Sequence, residues 1–521
     1  MVDIEVDKKS DRPLYVQIRD HLKTAVTKGE LKPGDKLPSV NCMAKRIGVT
    51  QATVRRAFED LTKEGLARSH VGRGTFIEAV KTIEAVDPGD PFKHPVSSPG
   101  NRQNWDHMPG RPAGHGYRYV ARQLRSGISK GLLDLMRIAR QGDLINFSNG
   151  IPDPAFHDPG FLKDVALETL ENETKTYLAA SDSQGLMELR QELCTRYEKK
   201  GVFISPDQIL ITNGSQQAAS IVAMDTIEQS RRVIFETPCF QGIPETFNAH
   251  GNWVDTVGRD GQGPILDQLE GFSGQPALLY ICPDLHNPTG TNLTDERHDA
   301  LVAWAQKNRG IILSDDIFQD LRYEGPALKS MLTTLGSDQT IVISSISKSL
   351  ACGFRVGWMI SSNERIRAYT RLKRLMDQAC PPLMQGMVLN LFKSGRYDLH
   401  LEHVKNLYQK RRDLLLESLQ QLMPKAVSWT RPKGGFSLWV SMPRGYSSIA
   451  LLLSAIDKGV NFLPGPLFDI DQRFVRSFRL SWAWTDEDQI SEGVEILADT
   501  IKELLSQQPG DAGLSGLGHF Q

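Results

Sequence analysis

The chain has 521 residues, of which 40% are hydrophobic and 24% are charged, and its formal net charge at pH 7 is −1. This length exceeds one ordinary hydrophobic core, so we expect at least two domains of a soluble protein. Six scattered cysteines form no CxxC pair or zinc-ligand spacing, which argues against zinc modules. No apolar run suits a membrane span or a signal peptide. Together with scattered cysteines typical of reduced thiols, this predicts a cytoplasmic protein.

The first 78 residues differ in charge from the rest of the chain. They contain 15 lysine and arginine residues against 11 aspartate and glutamate residues, which gives a net charge of +4 and leaves −5 for the remainder. A basic segment joined to an acidic body is compatible with nucleic-acid binding by the N-terminal part.

This basic segment has the pattern of two helices. Apolar residues at four-residue intervals predict a first helix, and Gly29 ends it. The residues of this apolar face are Leu14, Ile18, Leu22 and Val26. Ser39 is placed as the N-cap of a short second helix that runs through Ile47.

A third helix and a hairpin complete the segment. After the turn Gly48-Val49-Thr50, the pattern predicts a helix from about residue 51 to 64 that buries Val54, Phe58 and Leu61. Residues 66–77 predict a hairpin, with Gly72-Arg73-Gly74 at its tip. Two helices around a short glycine turn, followed by a small hairpin, form a helix-turn-helix with a wing.

The stretches LYVQIRDHLKTAVTKGELKPGDKLPS, IGVTQATVRRAFEDL and EGLARSHVGRGTF resemble the α+β winged helix-turn-helix domain of GntR-type regulators. The resemblance implies a DNA-binding domain over residues 1–78, in which the start of the third helix enters the major groove. The residues expected at operator DNA are Ser39, Thr50, Gln51, Thr53, Arg55, Arg56 and Arg73. The alternative for Arg55 and Arg56 is a solvated helix face. The family usually has arginine where Asn41 and Gln51 stand, which implies a different operator preference or weaker binding.

Residues 79–116 change character. They are poor in apolar residues and rich in proline and glycine, which predicts a flexible linker. Residues 117–140 have helical spacing and are assigned to the start of a large domain that extends to residue 507. The Gly/Ser-rich tail, residues 508–521, is predicted to be disordered.

The large domain alternates short β-rich runs with helical stretches. The runs are residues 208–212, 232–235, 277–281, 310–313 and 339–343. This alternation predicts a doubly wound α/β domain, in which ligand sites lie at the C-terminal ends of the strands.

One lysine lies in the small-polar turn after the last of these runs. Lys348 can form a Schiff base if its site lowers its pKa, while Ser345 and Arg355 supply a hydroxyl and a guanidinium for a phosphate group. The alternative is a surface lysine after a buried strand.

Other strand ends carry groups that suit a phosphorylated pyridine. Gly214, Ser215 and Gln216 open a helix, whose first N–H groups bind phosphate. Phe240 can stack on a ring, although a single aromatic residue is more often part of a core. Asn287 can donate to a phenolic oxygen.

Paired carboxylates end the run 310–313. One of them, assigned to Asp315, can keep a pyridine nitrogen protonated, which makes the ring an electron sink. The pair Asp315-Asp316 is also compatible with a metal ion, but no second cluster of ligands supports that alternative, and no metal is predicted.

The order GSQQ, ExPxF, NPTG, DDxF and SxSKxxxxxxR, followed by Phe478-Arg479-Leu480-Ser481, resembles class I aminotransferases of the fold-type I pyridoxal 5'-phosphate (PLP) class over residues 144–505. The resemblance implies an α/β fold with a smaller C-terminal α/β subdomain. It implies that Lys348 is the catalytic lysine, that Arg479 binds a substrate or effector carboxylate and that Gly150 lies in the substrate loop. The implied cofactor-binding residues are Gly214, Ser215, Gln216, Phe240, Asn287, Asp315, Ser345, Lys348 and Arg355.

Two positions depart from that family. Many members have tyrosine where Phe318 and Ala180 stand, and these tyrosines contact the cofactor ring oxygen and the phosphate. Tyr177 is a candidate replacement for the second of them. Both losses weaken the expectation of efficient transamination.

A GntR-type head on an aminotransferase-like body resembles the MocR/GabR-type transcription regulators. The resemblance implies a homodimer that binds a double-stranded DNA operator and senses an amino acid or amine through PLP. The alternatives are an active aminotransferase with an accessory DNA-binding head and a DNA-binding protein whose body senses PLP itself.

Overall fold

In a computed structural model of the protein, the described residues are 6, 13–27, 31, 34–63, 67–70, 74–77, 144–156, 159–179, 181–228, 231–274 and 277–506. The chain divides into two compact units, residues 1–86 and 87–521. We call the described parts of these units the head and the body. The predicted linker 79–116, the predicted helix 117–140 and the predicted tail 508–521 lie outside the described residues and stay predictions.

The head contains three helices and one antiparallel hairpin. Its elements are α1 (Leu14–Thr27), α2 (Val40–Ile47), α3 (Gln51–Lys63), β1 (Ala67–His70) and β2 (Gly74–Ile77). Ser39 caps α2 by accepting a hydrogen bond from the backbone of Cys42 at 3.2 Å, and Gly48 ends the helix in the left-handed conformation with φ 70°. The predicted N-cap at Ser39 is confirmed, and Gly48 begins the turn predicted between α2 and α3.

One hydrophobic core holds the head together. The predicted positions Ile18, Leu22, Val54, Phe58 and Leu61 are all buried in it. Their helical spacing in the sequence therefore identified the inward faces of α1 and α3 correctly.

The body is built on a sheet of eight strands flanked by helices. Its strands are β4 (Ile209–Thr212), β5 (Arg232–Thr237), β6 (Val254–Asp260), β7 (Gly263–Pro264), β8 (Ala277–Ile281), β9 (Ile311–Asp315), β10 (Thr340–Ser345) and β11 (Gly357–Ile360). Their order is β4-β11-β10-β9-β8-β5-β6-β7. The strands β10, β9, β8, β5 and β6 pair in parallel, and β11 runs antiparallel to both of its neighbours.

Helices cover both faces of this sheet. They are α4 (Pro159–Leu178), α5 (Met187–Glu198), α6 (Ser215–Glu228), α7 (Gly242–Ala249), α8 (Leu266–Glu270), α9 (Asp295–Asn308), α10 (Met331–Leu335), α11 (Asn363–Asp377) and α12 (Pro382–Lys393). Alternate residues of one strand belong to different cores, as Leu278 and Leu279 do in β8. This two-sided burial explains why the central strands read as continuous apolar runs.

A smaller α/β layer follows in the chain. It contains α13 (Arg396–Leu422), β12 (Ser428–Trp429), β13 (Ser437–Ser441), α14 (Ser448–Asp457), β14 (Val460–Asn461), β15 (Leu463–Pro464), β16 (Ser477–Ser481) and α15 (Glu487–Ser506). An antiparallel sheet of order β12-β13-β16-β15 packs on these helices. The strand β3 (Ile145–Asn146) pairs in parallel with β14 and so ties the start of the body to this layer. The predicted α/β body with a smaller C-terminal α/β subdomain is confirmed.

Among the residues that the structure describes, no helix is both long and apolar enough to cross a membrane.

Candidate functional site

Seven of the residues predicted to bind a cofactor line one cavity at the edge of the large sheet. They are Ser215, Gln216, Phe240, Asn287, Asp315, Lys348 and Arg355. Phe240, Asn287, Asp315 and Lys348 follow or end strands that pair in parallel. Ser215 and Gln216 follow β4, which runs in the same direction as β10 because β11 is antiparallel to both, and Arg355 precedes β11. Parallel strands bring their C-terminal ends to one edge, so residues far apart in the chain meet there.

Lys348 projects into this cavity from the turn after β10. Its Nζ donates a hydrogen bond to the carbonyl of Gly150 at 2.7 Å and lies 5.8 Å from the centre of the Phe318 ring. Burial lowers the pKa of Lys348, and the nearby guanidinium groups of Arg479 and Arg355 lower that pKa further. A lowered pKa increases the fraction of neutral amine, which is the form that attacks a carbonyl.

Asp315 is held in one orientation by two donors. The Tyr280 hydroxyl donates to Oδ2 at 2.8 Å, and the backbone N–H of Ile317 donates to Oδ1 at 3.3 Å. Burial raises the pKa of Asp315 to about 7. A protonated pyridine nitrogen beside it would favour the carboxylate.

Tyr280 was not among the predicted site residues. It belongs to the apolar run 277–281, and the structure places its hydroxyl on Asp315. A phenol inside an otherwise aliphatic strand was the available signal, because a buried tyrosine hydroxyl usually has a hydrogen-bond partner.

A second end of the cavity suits a phosphate group. The helix α6 begins at Ser215, and its first two residues, Ser215 and Gln216, line the cavity. The first N–H groups of a helix have no partners within it and are suited to bind an anion. Gly214 has φ +89°, and a Cβ there would lie 2.7 Å from Nη2 of Arg355. That Nη2 donates to the carbonyl of Asn213 at 2.7 Å, which places the guanidinium beside the start of the helix.

Ser345 does not line the cavity. Its buried hydroxyl donates to the carbonyl of Val356 at 2.8 Å and accepts from the N–H of Ser347 at 3.1 Å. Ser347 lines the cavity instead. The prediction of a phosphate-binding hydroxyl therefore fits Ser347 better than Ser345, because the Ser345 side chain is used to close the turn.

Gln216 and Phe240 reach the cavity in different ways. The Gln216 amide donates to the carbonyl of Gly242 at 2.7 Å and to the Thr246 hydroxyl, so its side chain is already used to hold α7. Phe240 is 46% exposed and its ring lies over Gly242, where it can close one face of the cavity. The structure is therefore compatible with stacking by Phe240 and leaves the backbone of Gln216 for phosphate.

Arg479 is a buried cation beside the cavity. It is 5% exposed, its Nη1 donates to Oδ1 of Asn287 at 3.0 Å, and its Nη2 donates to the Ser148 carbonyl. Its Nε has no hydrogen-bond partner, and within the described part of the chain it forms no ion pair. Burial lowers the pKa of Arg479 to about 10. A buried guanidinium without a counter-ion is suited to bind an anion.

Gly150 lies against this arginine, as the substrate-loop prediction requires. A Cβ at Gly150 would lie 3.1 Å from Nη1 of Arg479, so a larger residue would crowd the guanidinium. The carbonyl of Gly150 also accepts from Lys348, which places the predicted lysine, arginine and loop in one site.

Tyr177 does not reach the cavity of its own chain. Its ring covers Gly386 in α12, where a Cβ would lie 2.4 Å from Cε1 of the tyrosine. Ala180 lies outside the described residues. Phe318 lines the cavity with a ring that has no hydroxyl.

Among the described residues, no group of three or more His, Cys, Asp or Glu side chains is placed to hold a metal ion. Asp316, the neighbour of Asp315, accepts a hydrogen bond from the Ser314 hydroxyl at 2.6 Å.

In the head, the predicted DNA contacts cluster at the start of α3. The hydroxyls of Thr50 and Thr53 lie 2.8 Å apart, and the Thr50 hydroxyl accepts from the N–H of Thr53. Gln51 Nε2 donates to Oδ1 of Asn41 at 3.0 Å. The two positions at which the family usually has arginine are thus joined by an amide–amide hydrogen bond.

The two arginines of α3 have different surroundings. The Arg56 guanidinium lies over the Tyr15 ring, 4.1 Å from its centre. Arg55 is exposed and has no hydrogen bond or ion pair to any residue that the structure describes in the head. Arg55 is therefore the more available cation of the two, and Arg73 lies outside the described residues.

Two family models match the chain. Residues 142–497 match the model described as aminotransferase class I and II, and residues 14–77 match the model for bacterial regulatory proteins of the gntR family.

The relatives differ in how much of this chain they cover. The uncharacterized HTH-type transcriptional regulator YdfD of Bacillus subtilis (strain 168) is 26% identical over 96% of this chain and 99% of its own length. The aromatic-amino-acid aminotransferase 1 of Thermococcus litoralis is 28% identical over 71% of this chain and 91% of its own length. The crystal structure of Pyrococcus horikoshii kynurenine aminotransferase, complexed with PMP, is 29% identical, covers 75% of this chain and 98% of its own, and has a TM-score of 0.68.

Proposed function

Since the chain belongs to the aminotransferase class I and II family and carries a gntR-type domain at its N-terminus, we propose that it is a PLP-dependent transcription regulator that senses an amino acid or amine. The observation that carries this proposal is one cavity lined by a lysine, a buried carboxyl and a helix start, with Asn287 in its lining hydrogen-bonded to the buried Arg479.

The residues of the cavity fit PLP. Lys348 would hold its aldehyde carbon, Asp315 its pyridine nitrogen, and the start of α6 with Arg355 its phosphate. When bound, PLP supplies an aldehyde that condenses with amines and a ring that withdraws electrons. Gly214 supports the fit, because any side chain at this position would displace the Arg355 guanidinium from the start of α6.

Arg479 defines the class of effector. Its free Nε and its lack of an ion pair among the described residues favour a ligand with a carboxylate, and Lys348 favours a ligand with an amine. An α-amino acid carries both groups. The amine would compete with Lys348 for the cofactor while the carboxylate binds Arg479, which would release Nζ from its present neighbour Gly150.

An effector changes DNA binding only if its affinity differs between two conformations of the protein. A difference of about 1–3 kcal/mol would change operator affinity about five- to 150-fold. The loss of the lysine link and the recruitment of Arg479 are the contacts that differ between the two states. A homodimer would present two heads to paired half-sites.

The proposal is tested by a screen of amino acids and amines against the wild-type protein and Lys348→Ala. Each ligand is scored for its effect on operator affinity and for keto-acid product. We expect the wild type to show a PLP absorption band that Lys348→Ala lacks, and at least one amino acid to change operator affinity only in the wild type.

Phe318 favours the regulator over the active aminotransferase, since no phenol is available at that position to donate to the ring oxygen. Many turnovers to keto acid with no change in operator affinity would overturn the regulator and favour the enzyme. A wild-type protein with no Lys348-dependent band would overturn PLP binding.

A further inference from the structure

A buried ion pair lies at the C-terminal end of α11, outside the motifs that predict the cofactor site. The Lys373 side chain is fully buried, and its Nζ donates to Oδ1 of Asp377 at 2.8 Å, one helical turn later. A buried ammonium needs a paired anion, because an unpaired charge in the interior is strongly destabilising. The pair therefore fixes the position of the Asp377 carboxylate.

The second oxygen of that carboxylate holds the phosphate loop, which we define as residues 212–217. Asn213 Nδ2 and Gln217 Nε2 donate to Oδ2 of Asp377 at 2.6 and 2.5 Å. Gln217 Oε1 also accepts from the backbone N–H of Asn213 at 2.8 Å. One carboxylate thus fixes both sides of the turn between β4 and α6.

The same contacts reach the arginine at the phosphate end of the cavity. The carbonyl of Asn213 accepts from Nη2 of Arg355 at 2.7 Å, and Gly214 leaves room for the guanidinium. Because Asp377 fixes the Asn213 side chain, it also fixes the peptide on which Arg355 is oriented.

We propose that Lys373 and Asp377 are positioning residues for the cofactor phosphate. They act through the phosphate loop: they hold the first N–H groups of α6 and the Arg355 guanidinium in the binding arrangement before the ligand arrives. Anion binding is tighter when such donors need no reordering. This inference rests on the proposed binding of PLP and adds the residues that prepare its phosphate site.

The test compares PLP with pyridoxal, which has the same ring and aldehyde but no phosphate. Full-length apoprotein is titrated with each ligand by absorbance, as wild type, Asp377→Asn, Gln217→Met and Asp255→Asn. An amide offers one acceptor oxygen where the carboxylate offers two, so Asp377→Asn leaves a donor unpaired. We expect Asp377→Asn to weaken PLP binding about tenfold and pyridoxal binding less than about twofold.

Two variants control for loss of structure. Gln217→Met keeps the Lys373–Asp377 ion pair and the bond from Asn213 to Asp377, and it removes the two hydrogen bonds by which Gln217 joins Asp377 to the Asn213 backbone. It should lower the PLP-to-pyridoxal affinity ratio several-fold even if Asp377→Asn folds poorly. Asp255 in β6 forms an ion pair with Arg232 at 2.8 Å, and its side chain is 20% exposed, against 23% for Asp377. Asp255→Asn therefore makes the same chemical change in a carboxylate of similar exposure away from the phosphate loop. It should leave the ratio unchanged.

The outcomes separate this inference from the proposed function. A wild type without Lys348-dependent PLP binding overturns both. If the wild type binds PLP but Asp377→Asn and Gln217→Met lose equal affinity for PLP and pyridoxal, the positioning role is overturned and the cofactor proposal stands. The same conclusion follows if Asp255→Asn lowers the PLP-to-pyridoxal affinity ratio as much as they do.

Discussion

The predicted DNA contacts of the head that the structure describes lie in α3 and in the turns before α2 and α3, while most predicted cofactor contacts of the body come from strand ends and the turns after them. In the head, Arg55 is exposed to solvent and has no described hydrogen-bond or ion-pair partner. In the body, Arg479 is buried, has no ion pair among the described residues and donates to fixed acceptors.

This difference has an energetic consequence. Arg55 has no hydrogen-bond or ion-pair partner among the described residues of the head, so its loss should weaken binding by its own share alone. Buried groups that share hydrogen bonds are coupled, so the loss of one alters the pKa or the position of others. We therefore expect single substitutions in the body to have larger and more ligand-specific effects than single substitutions in the head.

The largest expected effect is on the pH dependence of the body's stability. Burial raises the pKa of Asp315 to about 7, against an ordinary value of 3.8. The folded apoprotein thus keeps a proton that the unfolded chain has released. This contribution to stability is fully present below about pH 4 and is lost as the pH rises through about 7.

Asp315→Asn removes this titration. Between pH 4 and 8 the unfolding free energy of the wild-type apoprotein should fall relative to that of Asp315→Asn by up to about 4 kcal/mol. Urea unfolding followed by tryptophan fluorescence measures it, because all eight tryptophans lie after residue 100. Parallel curves for the two proteins would show that Asp315 is not coupled to its surroundings as the structure indicates.

The next effect is on effector affinity. Arg479→Met should weaken binding of a carboxylate-bearing effector about 100-fold, while the corresponding amine without the carboxylate loses less than about threefold. Because the charge is buried without an ion pair among the described residues, methionine should not destabilise the fold. Titration of absorbance or of operator affinity measures the change.

Arg476→Met is the matched control for this variant. Arg476 lies three residues earlier and donates to the Met442 carbonyl at 2.8 Å. It should leave the affinity for both ligands unchanged. Equal losses for the amino acid and the amine in Arg479→Met would remove the carboxylate from the proposal.

Sequence patterns predicted the head more completely than the network of the body. Caps and helical periodicity are local, so Ser39, Gly48 and the buried Val54 and Phe58 could be identified from neighbouring residues alone. Ordered motifs in the body identified seven cavity residues because each motif follows its own strand.

The contacts between those motifs were beyond sequence reasoning. Tyr280 meets Asp315 across two strands, and Asp377 meets Asn213 across 164 positions. No spacing rule encodes such pairs, since only the packing of strands and helices in the folded chain brings them together. Backbone geometry also decides which hydroxyl of the turn after β10 faces the cavity: Ser347 lines it, while the Ser345 hydroxyl donates to the carbonyl of Val356.

The smallest expected effect belongs to the head. Arg55→Ala should weaken operator binding by about 1–2 kcal/mol and reduce the slope of log affinity against log salt by about one, because one exposed cation is lost. Fluorescence anisotropy with labelled operator DNA at several salt concentrations measures both quantities.

Two comparisons decide whether this effect belongs to the head alone. Arg367→Ala, which removes an exposed arginine from α11 in the body, should leave the salt slope unchanged. Arg55→Ala should leave the PLP band and effector affinity unchanged, since Arg55 is exposed and makes no hydrogen bond or ion pair with a described residue of the head. A salt slope that responds to Arg367→Ala and not to Arg55→Ala would move the DNA-binding surface from the head to the body. The contrast between exposed, independent contacts and buried, coupled ones would then no longer divide the molecule by function.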